Sequence, residues 1–257
     1  MKKLNVIFGI PLMLIIVENY TPSIAQGNLS AAEIVKKADE KFKGEITSQG
    51  EMEVIIKRPA WERTISLKSW SKGNDFSLSV ITAPAKEKGQ AFLKRYNELW
   101  NWNPTISRMI KLPPSMMSQG WMGSDYSNDD ILRESSIVED YYSKLLGEEN
   151  INKYTCYKIE LIPKEDVAVV WGKIVCWISK EEYHQLKAEY YDEDDYLVRT
   201  LIAYDIQVFD DRKLPSTMEI IPAEEEGNKT IVKMKNLQFN KPISESFFSQ
   251  QNMKKVR

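Results

Sequence analysis

The chain has 257 residues, of which 42% are hydrophobic and 28% are charged, and its formal net charge is −2 at pH 7. This composition is ordinary for a globular protein with a sizeable core, and it lacks the basic excess of a nucleic-acid binder. The chain contains a single histidine, His184, which leaves no basis for histidine-rich metal sites or for most histidine-based catalysis.

The first 25 residues have the pattern of a secretory signal peptide. Lys2 and Lys3 precede an apolar run at Leu4–Val17, and a small-x-small sequence ends at Ala25. The apolar run is too short to span a bilayer comfortably, which favours a cleaved signal peptide over an uncleaved membrane anchor. The sequence therefore predicts an exported protein with a signal peptide at residues 1–25, cleaved near Ala25.

A helix is predicted at the start of the remaining chain. Ser30, with Glu33 three residues later, forms a capping-box pattern, and apolar residues then recur at helical spacing until Gly44. These signals predict an amphipathic helix at Ala31–Lys43.

Beyond the helix, apolar residues alternate with polar ones between turn signals, which is typical of half-buried strands. Consecutive hairpins favour a single mainly β domain over residues 26–257, built as an unclosed barrel or strongly curved sheet, rather than two domains. The alternation predicts about eleven antiparallel strands, around Glu51–Lys57 and at Trp61–Trp70, Asp75–Ile81, Gln90–Lys94, Glu98–Trp102, Tyr154–Leu161, Val169–Ser179, Leu186–Tyr191, Leu197–Phe209, Leu214–Ile221 and Thr230–Phe239.

A long irregular segment at Asn103–Asn128 interrupts the strands. A connection of this length inside a compact domain is usually functional. Ser127, with Asp130 three residues later, predicts a short helix at its end, and Ser136–Leu146 is predicted to form another. The leading helix and this segment are the candidate plugs for the concave face of a curved sheet. A plug that moves would leave an apolar pocket suited to acyl chains.

The two cysteines, Cys156 and Cys176, lie in consecutive predicted strands. A hairpin with its tip near Asp166 would place them face to face, and export permits a disulfide. Two buried free thiols are equally compatible with the sequence, because the register of a strand pair cannot be read to one residue. The sequence leaves the pairing open.

No catalytic or cofactor motif is present. The sequence has no G-x-S-x-G, no glycine-rich phosphate loop, no H-E-x-x-H and no Cys/His metal spacing. His184 is predicted to be a surface turn residue, and Asp125, Asp129 and Asp130 are predicted to cap a helix. The sequence therefore predicts a protein that is not an enzyme and that uses no cofactor or metal.

The irregular segment and the strands before it are rich in aromatic and thioether side chains. A soluble protein usually buries such groups or offers them to an apolar ligand. Plain core packing stays an alternative for each residue, but as a set they favour ligand contact. The predicted lipid-binding residues are Trp100, Trp102, Met116, Met117, Trp121, Met122, Phe92 and Leu67.

The run AFLKRYNELWNWNP…IKLPPSMMSQGWMGSDYSNDD, within residues 91–130, resembles the signature of the outer-membrane lipoprotein-sorting proteins, the LolA-like carriers. The segments WISKEEYHQLKAEYYDEDDYLVRT and PISESFFSQQNMKKV are similar to the same family. The resemblance implies an unclosed antiparallel β-barrel with a helical lid over a hydrophobic cavity. It also implies a periplasmic carrier that moves lipoprotein acyl chains, or other lipid cargo, toward the outer membrane.

The resemblance further implies an inner-membrane transporter and an outer-membrane acceptor as partners. In LolA itself an arginine in the cavity holds the lid closed. Arg63, Arg95 and Arg108 are the candidates for that role in this sequence.

Two other functions are kept as alternatives. A non-enzymatic accessory module would dock on an inner-membrane transporter through the stretch Lys88–Arg133, called here the Met/Trp-rich segment. A lipid-modifying enzyme would need a reactive side chain with a strongly perturbed pKa at the cavity mouth, and the sequence offers no candidate.

Overall fold

The computed structural model describes residues 29–44, 46–96, 98–132 and 136–256, and the predicted signal peptide at residues 1–25 lies outside them. The strands are β1 (Thr47–Arg58), β2 (Trp61–Lys72), β3 (Phe76–Ala83), β4 (Ala91–Arg95), β5 (Glu98–Asn103), β6 (Arg108–Lys111), β7 (Tyr141–Ile151), β8 (Tyr154–Pro163), β9 (Lys173–Ser179), β10 (Gln185–Tyr191), β11 (Leu197–Phe209), β12 (Arg212–Pro222) and β13 (Lys229–Phe239). The α-helices are α1 (Ala31–Lys43), α2 (Asn128–Leu132) and α3 (Gln250–Met253), and 3-10 turns form at Pro114–Met116, Trp121–Gly123 and Glu245–Phe247.

The thirteen strands form one sheet in the order β6-β5-β4-β3-β2-β1-β13-β12-β11-β10-β9-β8-β7. All neighbouring pairs are antiparallel. The first and last strands, β1 and β13, therefore lie side by side in the middle of the sheet, and β6 and β7 form its two edges. The predicted mainly β, antiparallel fold is confirmed.

The sheet curls so that one face, called here the inner face, encloses a core. Ser79 on β3 and Tyr190 on β10 line one cavity of about 280 Å³, although six inter-strand steps separate their strands. In a flat sheet that separation would be roughly 30 Å, at about 4.8 Å per step. The sheet must therefore wrap around the core. Within the described ranges β6 and β7 each pair on one side only, so the barrel is unclosed.

Helix α1 packs against the inner face. Its capping box is formed: Ser30 Oγ accepts the Glu33 N–H at 3.3 Å, and the Glu33 carboxylate accepts the Ser30 N–H at 2.8 Å. Ile34 and Val35 are buried in the inner core. The predicted helix is confirmed, with the predicted bounds. No helix in the described ranges combines the length and apolar character needed to cross a bilayer.

The opposite, outer face of β3 and β4 is covered by the C-terminal segment. Phe248 and Met253 are completely buried there. They pack with Leu78 on β3 and Leu93 on β4. These two leucines point away from the inner face, because successive residues of a strand point to opposite faces of the sheet. This second core anchors the end of the chain to the sheet.

Strands β6 and β7 are consecutive in the chain but lie at opposite edges of the sheet. Their connection, residues 112–140 and called here the crossover segment, must therefore pass from one edge to the other. It does so on the inner side, because Met117, Trp121 and Tyr126 are buried in the same cluster as α1. This segment and α1 thus lie over the inner face, where the resemblance implies a helical lid.

The structure contains two strands more than the eleven that the sequence predicts. β6 lies within the segment predicted to be irregular, and β7 occupies much of the predicted helix at Ser136–Leu146. The Ser136 signal forms only one turn, in which the Asp140 carboxylate accepts the Ser136 N–H at 2.6 Å. β7 then pairs with β8 along its length. The pairing with β8 makes this segment a strand, and a local capping pattern gives no information about such a distant pairing.

The two cysteines do not face one another. Cys156 lies opposite Ser179, three residues beyond Cys176, and Cys176 lies opposite Ile159. Because the offset is an odd number of residues, the two side chains point to opposite faces of the sheet. Both are buried free thiols. The register that would bring the two cysteines face to face does not occur, and the disulfide that the sequence left open is not formed.

We expect both thiols to be present but protected in the folded protein. Burial raises the pKa of the Cys176 thiol to about 12 and raises that of the Cys156 thiol as well. Since the thiolate is the reactive form, iodoacetamide should modify neither cysteine at neutral pH before unfolding. In denaturant without reductant, intact-mass measurement should count two adducts. Adducts that appear only after reduction would show that a disulfide forms instead.

Candidate functional site

A cavity of about 280 Å³ lies between the inner face of the sheet, the crossover segment and the last turns of α1. Its walls come from β1, β2 and β3 on one side and from β11, β12 and β13 on the other, and its apolar lining includes Met52, Leu67 and Met218. This volume is just below the range of about 300–1,000 Å³ that is typical of small-molecule sites. The cavity therefore has room for part of an aliphatic ligand while the crossover segment stays in place.

The space exists because neighbouring positions of the inner face carry small side chains. Protein interiors otherwise contain few voids larger than a water molecule. The Ser48 and Ser71 hydroxyls lie 2.7 Å apart and bond to one another, which satisfies polar groups that would be costly to leave unpaired. These small residues form two rows on the inner face, called here the serine rows: Ser48, Ser71 and Ser77, then Ser69 and Ser79. Gly50 lies beside the second row, and there Leu237 of β13 fills the place of a side chain.

Arg199 on β11 holds the crossover segment from inside the barrel. Its two terminal nitrogens each lie 2.7 Å from a carboxylate oxygen of Asp130, and Nη1 also donates to the Asp125 carbonyl at 2.8 Å. The rings of Trp171 and Tyr190 lie 4.3 Å from the guanidinium carbon, at cation–π distance. The Arg199 side chain is only 4% exposed. The Arg199–Asp130 pair is called here the Arg199 clamp.

The Arg199 side chain keeps its charge although it is buried. Burial alone would lower the pKa of Arg199, but the Asp130 carboxylate outweighs that effect and the pKa is raised. Asp130 also takes part in the N-terminal cap of α2, because the Ser127 N–H and hydroxyl donate to one oxygen of the Asp130 carboxylate at 2.6 and 2.8 Å. The predicted short helix and its Ser127–Asp130 cap are confirmed, whereas the prediction that Asp125 caps a helix is wrong, because its carboxylate accepts from Arg58 and Thr230. One carboxylate thus ties the start of α2 to the sheet.

A second arginine, Arg58 at the end of β1, holds the same segment. It donates to the two carboxylate oxygens of Asp125 at 3.1 and 2.9 Å and to the Gly123 carbonyl at 2.9 Å. Thr230 on β13 donates its hydroxyl to Asp125 at 2.6 Å and accepts the Asp125 N–H at 2.9 Å. Residues 123–130 are therefore fixed to β1, β11 and β13 by charged hydrogen bonds, which are stronger than neutral ones.

The two ends of the cavity differ. Tyr126, Asp130 and Tyr190 line the end next to the Arg199 clamp, whereas His184 and Gln185 line the end next to α1. Along β10, Gln185 and Tyr190 are separated by roughly 16 Å, at about 3.3 Å per residue. Burial raises the pKa of Tyr126, and it raises the pKa of Tyr190 to about 12. Both phenols therefore stay protonated at neutral pH.

His184 is buried, with 3% of its surface exposed. Nε2 lies 2.9 Å from the Lys213 carbonyl oxygen, and the His184 N–H donates to Ser179 Oγ at 2.9 Å. Burial lowers the pKa of His184, so the ring is neutral at pH 7. The prediction of a surface turn residue is wrong, because the ring packs toward β12 and the cavity rather than toward solvent.

The eight predicted lipid-binding residues separate into three groups. Leu67 lines the cavity directly. Trp100 and Trp102 lie instead in the outer core beneath the C-terminal segment. The others belong to the inner core that surrounds the cavity: Phe92, Met116, Met117, Trp121 and Met122. Contact with lipid stays a prediction for all eight.

The three arginines suggested by the resemblance do not form the buried tie. Arg95 donates to the Phe248 carbonyl at 3.2 Å in the outer core, and Arg108 is exposed. Arg63 pairs with Glu87 at 3.0 Å and reaches the Met122 carbonyl only at 3.4 Å.

Sequence reasoning missed Arg199, although a signal for it was present. In the strand at Leu197–Phe209, Arg199 has the same alternation as Leu201 and Ala203, which are buried on the inner face. A charged residue at an inward-facing position is rarely buried unless it is paired. That pattern predicts a buried ion pair, but it does not name the partner.

Within the described part of the chain, no group of three or more histidine, cysteine, aspartate or glutamate side chains is arranged to hold a metal ion.

A family model with the description "Uncharacterized protein" matches residues 73–255. The chain belongs to that family. Among solved structures, a DUF1329 family protein from Desulfovibrio piger has a TM-score of 0.79 and 27% identity, covering 87% of this chain and 97% of its own. A LolA superfamily protein from Nitrosomonas europaea has a TM-score of 0.76 and 25% identity, and the match covers 87% of this chain and 99% of that protein's chain.

A Vibrio parahaemolyticus domain assigned to the outer membrane lipoprotein-sorting proteins has a TM-score of 0.76 and 26% identity, covering 87% of this chain and 98% of that domain. A comparison with curated proteins gives no match. The resemblance to the lipoprotein-sorting proteins is confirmed, and the fold is LolA-like.

In this LolA-like protein we expect Asp130→Asn to lower the free energy of unfolding by about 3 kcal/mol, because it leaves the buried Arg199 cation without a counter-charge. Denaturant unfolding measures the change. Glu98→Gln is the matched control, since Glu98 pairs with Lys111 at 2.8 Å with both side chains about half exposed. That variant should change stability far less, because an exposed ion pair contributes little. Equal effects of the two substitutions would show that the Arg199 clamp has no special role.

Proposed function

We propose that this protein is a periplasmic carrier that holds the acyl chains of lipoproteins, or of other lipid cargo, in the inner cavity during transfer toward the outer membrane. The observation that carries the proposal is the cavity itself, which lies inside a LolA-like sheet beneath a segment tied down by two ion pairs. One relative of this fold is assigned to the outer membrane lipoprotein-sorting proteins, which supports lipoproteins as the cargo class. The periplasmic location rests on the signal-peptide pattern.

Loading requires movement of the crossover segment, because the cavity of about 280 Å³ holds only part of an acyl chain. Separating the Arg199 clamp exposes both of its members to water, and this part of the opening costs no more than about 3 kcal/mol, the loss when a buried pair is broken. Burying methylene groups contributes about 0.8 kcal/mol each, so about four of them offset this part. The further methylene groups of a long chain have to offset the loss of the Arg58–Asp125 pair and the exposure of Met117 and Trp121, so binding stays weak enough for release.

Transfer in this scheme involves no covalent step. Handing an acyl chain from one site to another is an exchange governed by relative affinity and by the population of the open form. The carrier therefore acts without a catalytic group, cofactor or metal. An inner-membrane transporter would deliver the cargo, and an outer-membrane acceptor would remove it.

The alternative of an accessory module that docks through the Met/Trp-rich segment gains no support from the side-chain positions. Trp121 and Met117 are 1% and 5% exposed, whereas a docking hot spot has to reach its partner. Trp100 and Trp102 are partly covered by the C-terminal segment. These side chains stabilise the two cores of the protein.

The test fills the cavity without touching the clamp. Ser69→Phe places a large side chain in the serine rows and should weaken uptake of a fluorescent fatty-acid probe at least about tenfold, because it occupies the space of the chain. Ser66→Phe is the matched control, since it makes the same change on the opposite face of the same strand, and it should leave uptake unchanged. Thermal unfolding checks that both variants fold.

Native mass spectrometry with lipid extraction, on protein purified from its periplasm, provides the second measurement. Wild-type and Ser66→Phe protein should carry a lipid or lipopeptide in stoichiometric amount, and Ser69→Phe protein should be empty. A wild-type protein that is empty and also fails to bind the probe would contradict the carrier function.

A further inference from the structure

The two imidazole nitrogens of His184 differ in their hydrogen bonds: one has a partner and, within the described part of the chain, the other has none. Nε2 lies 2.9 Å from the carbonyl oxygen of Lys213. A carbonyl oxygen only accepts hydrogen bonds, so Nε2 carries the proton. Nδ1 of the neutral ring is therefore an acceptor. It is buried, and it has no hydrogen-bond partner within the described part of the chain.

An unpaired buried acceptor is unusual, because leaving such a group without a partner costs about 1–3 kcal/mol. His184 lines the end of the cavity next to α1. Its neighbours there do not supply a donor: Lys41, which also lines this end, donates instead to the Glu182 carboxylate and carbonyl at 2.7 and 2.6 Å. Nδ1 itself has almost no accessible surface in this form, so a donor on a bound molecule reaches it only when loading widens this end of the cavity.

We propose that Nδ1 of His184 accepts a hydrogen bond from the cargo, so that the cavity selects acyl compounds with a donor beside the chain. This inference rests on the proposed carrier function and names the chemistry that the carrier recognises. The donor is an amide N–H, as in an N-acylated peptide, or a hydroxyl, as in an acylglycerol. Either of these groups can donate a hydrogen bond to Nδ1, whereas a simple ester has only hydrogen-bond acceptors.

A site built around a hydrogen bond discriminates by the group that is left unpaired when the wrong ligand binds. A ligand without a donor leaves Nδ1 unsatisfied beneath its apolar chain. The remaining walls, formed by the serine rows and by apolar side chains such as Met218 and Val232, contact chains of any head group. His184 therefore adds head-group selectivity to a cavity whose affinity comes from the chain.

The experiment uses three ligands with the same chain. Lauramide has an amide donor, monolaurin has hydroxyl donors, and methyl laurate has none. Because His184 is the only histidine in the chain, ¹⁵N-labelled histidine gives one pair of ring signals. We expect the Nδ1 signal of the wild-type protein to shift when lauramide or monolaurin binds and to stay in place with methyl laurate. The ligand that shifts it identifies the type of donor.

The second measurement compares affinities in His184→Phe, after thermal unfolding has shown that the variant folds. The wild-type preference for the donor ligand over methyl laurate should fall about tenfold in the variant, which corresponds to about 1.4 kcal/mol. If all three ligands bind the wild type and Nδ1 responds to none of them, the inference is overturned and the carrier function stands. If none of the three binds, both the inference and the carrier function fail.

Discussion

The tie between Arg199 on the sheet and Asp130 on the crossover segment is the interaction on which the rest of the structure depends. β6 and β7 follow one another in the chain at opposite edges of the sheet, so their connection has to cross the open side of the barrel. A backbone that crosses an apolar core needs partners for its polar groups. Arginine supplies several donors in a fixed geometry, and Arg199 binds a side chain and a carbonyl of the segment at once.

The cavity follows from the same arrangement. The crossover segment and α1 are held over the serine rows, whose short side chains leave the space between them unfilled. A core packed to normal density would be more stable, and a well-packed apolar contact often matches or exceeds a buried ion pair in stability. The void and the buried ion pair each make the protein less stable than it could be, and they lie next to one another at the cavity. Natural sequences depart from the rules of stable folding mainly where function requires it.

Much of the fold could be predicted because its signals are local. The capping box at Ser30 and the alternating strands carry their own evidence within a few residues, and the segment rich in methionine and tryptophan led to the right family. The errors arose where a distant partner decides the outcome. β7 is a strand because β8 pairs with it, Cys156 and Cys176 are separated by a register that no short pattern fixes, and the burial of His184 depends on a carbonyl of β12. The pairing of Arg199 with Asp130 likewise joins residues 69 positions apart.

The central claim is that cargo enters the cavity by releasing the crossover segment. Hydrogen exchange of the backbone amides, with and without a saturating acyl ligand, tests it most directly. In the closed form the N–H of Trp121 donates to the Tyr126 carbonyl at 2.7 Å, so exchange is slow there. The account predicts that ligand binding speeds exchange in residues 121–130 while β1 and β13 stay protected. Binding that leaves exchange in this segment unchanged, or slows it, would contradict the account, because the ligand would then be held without opening the lid.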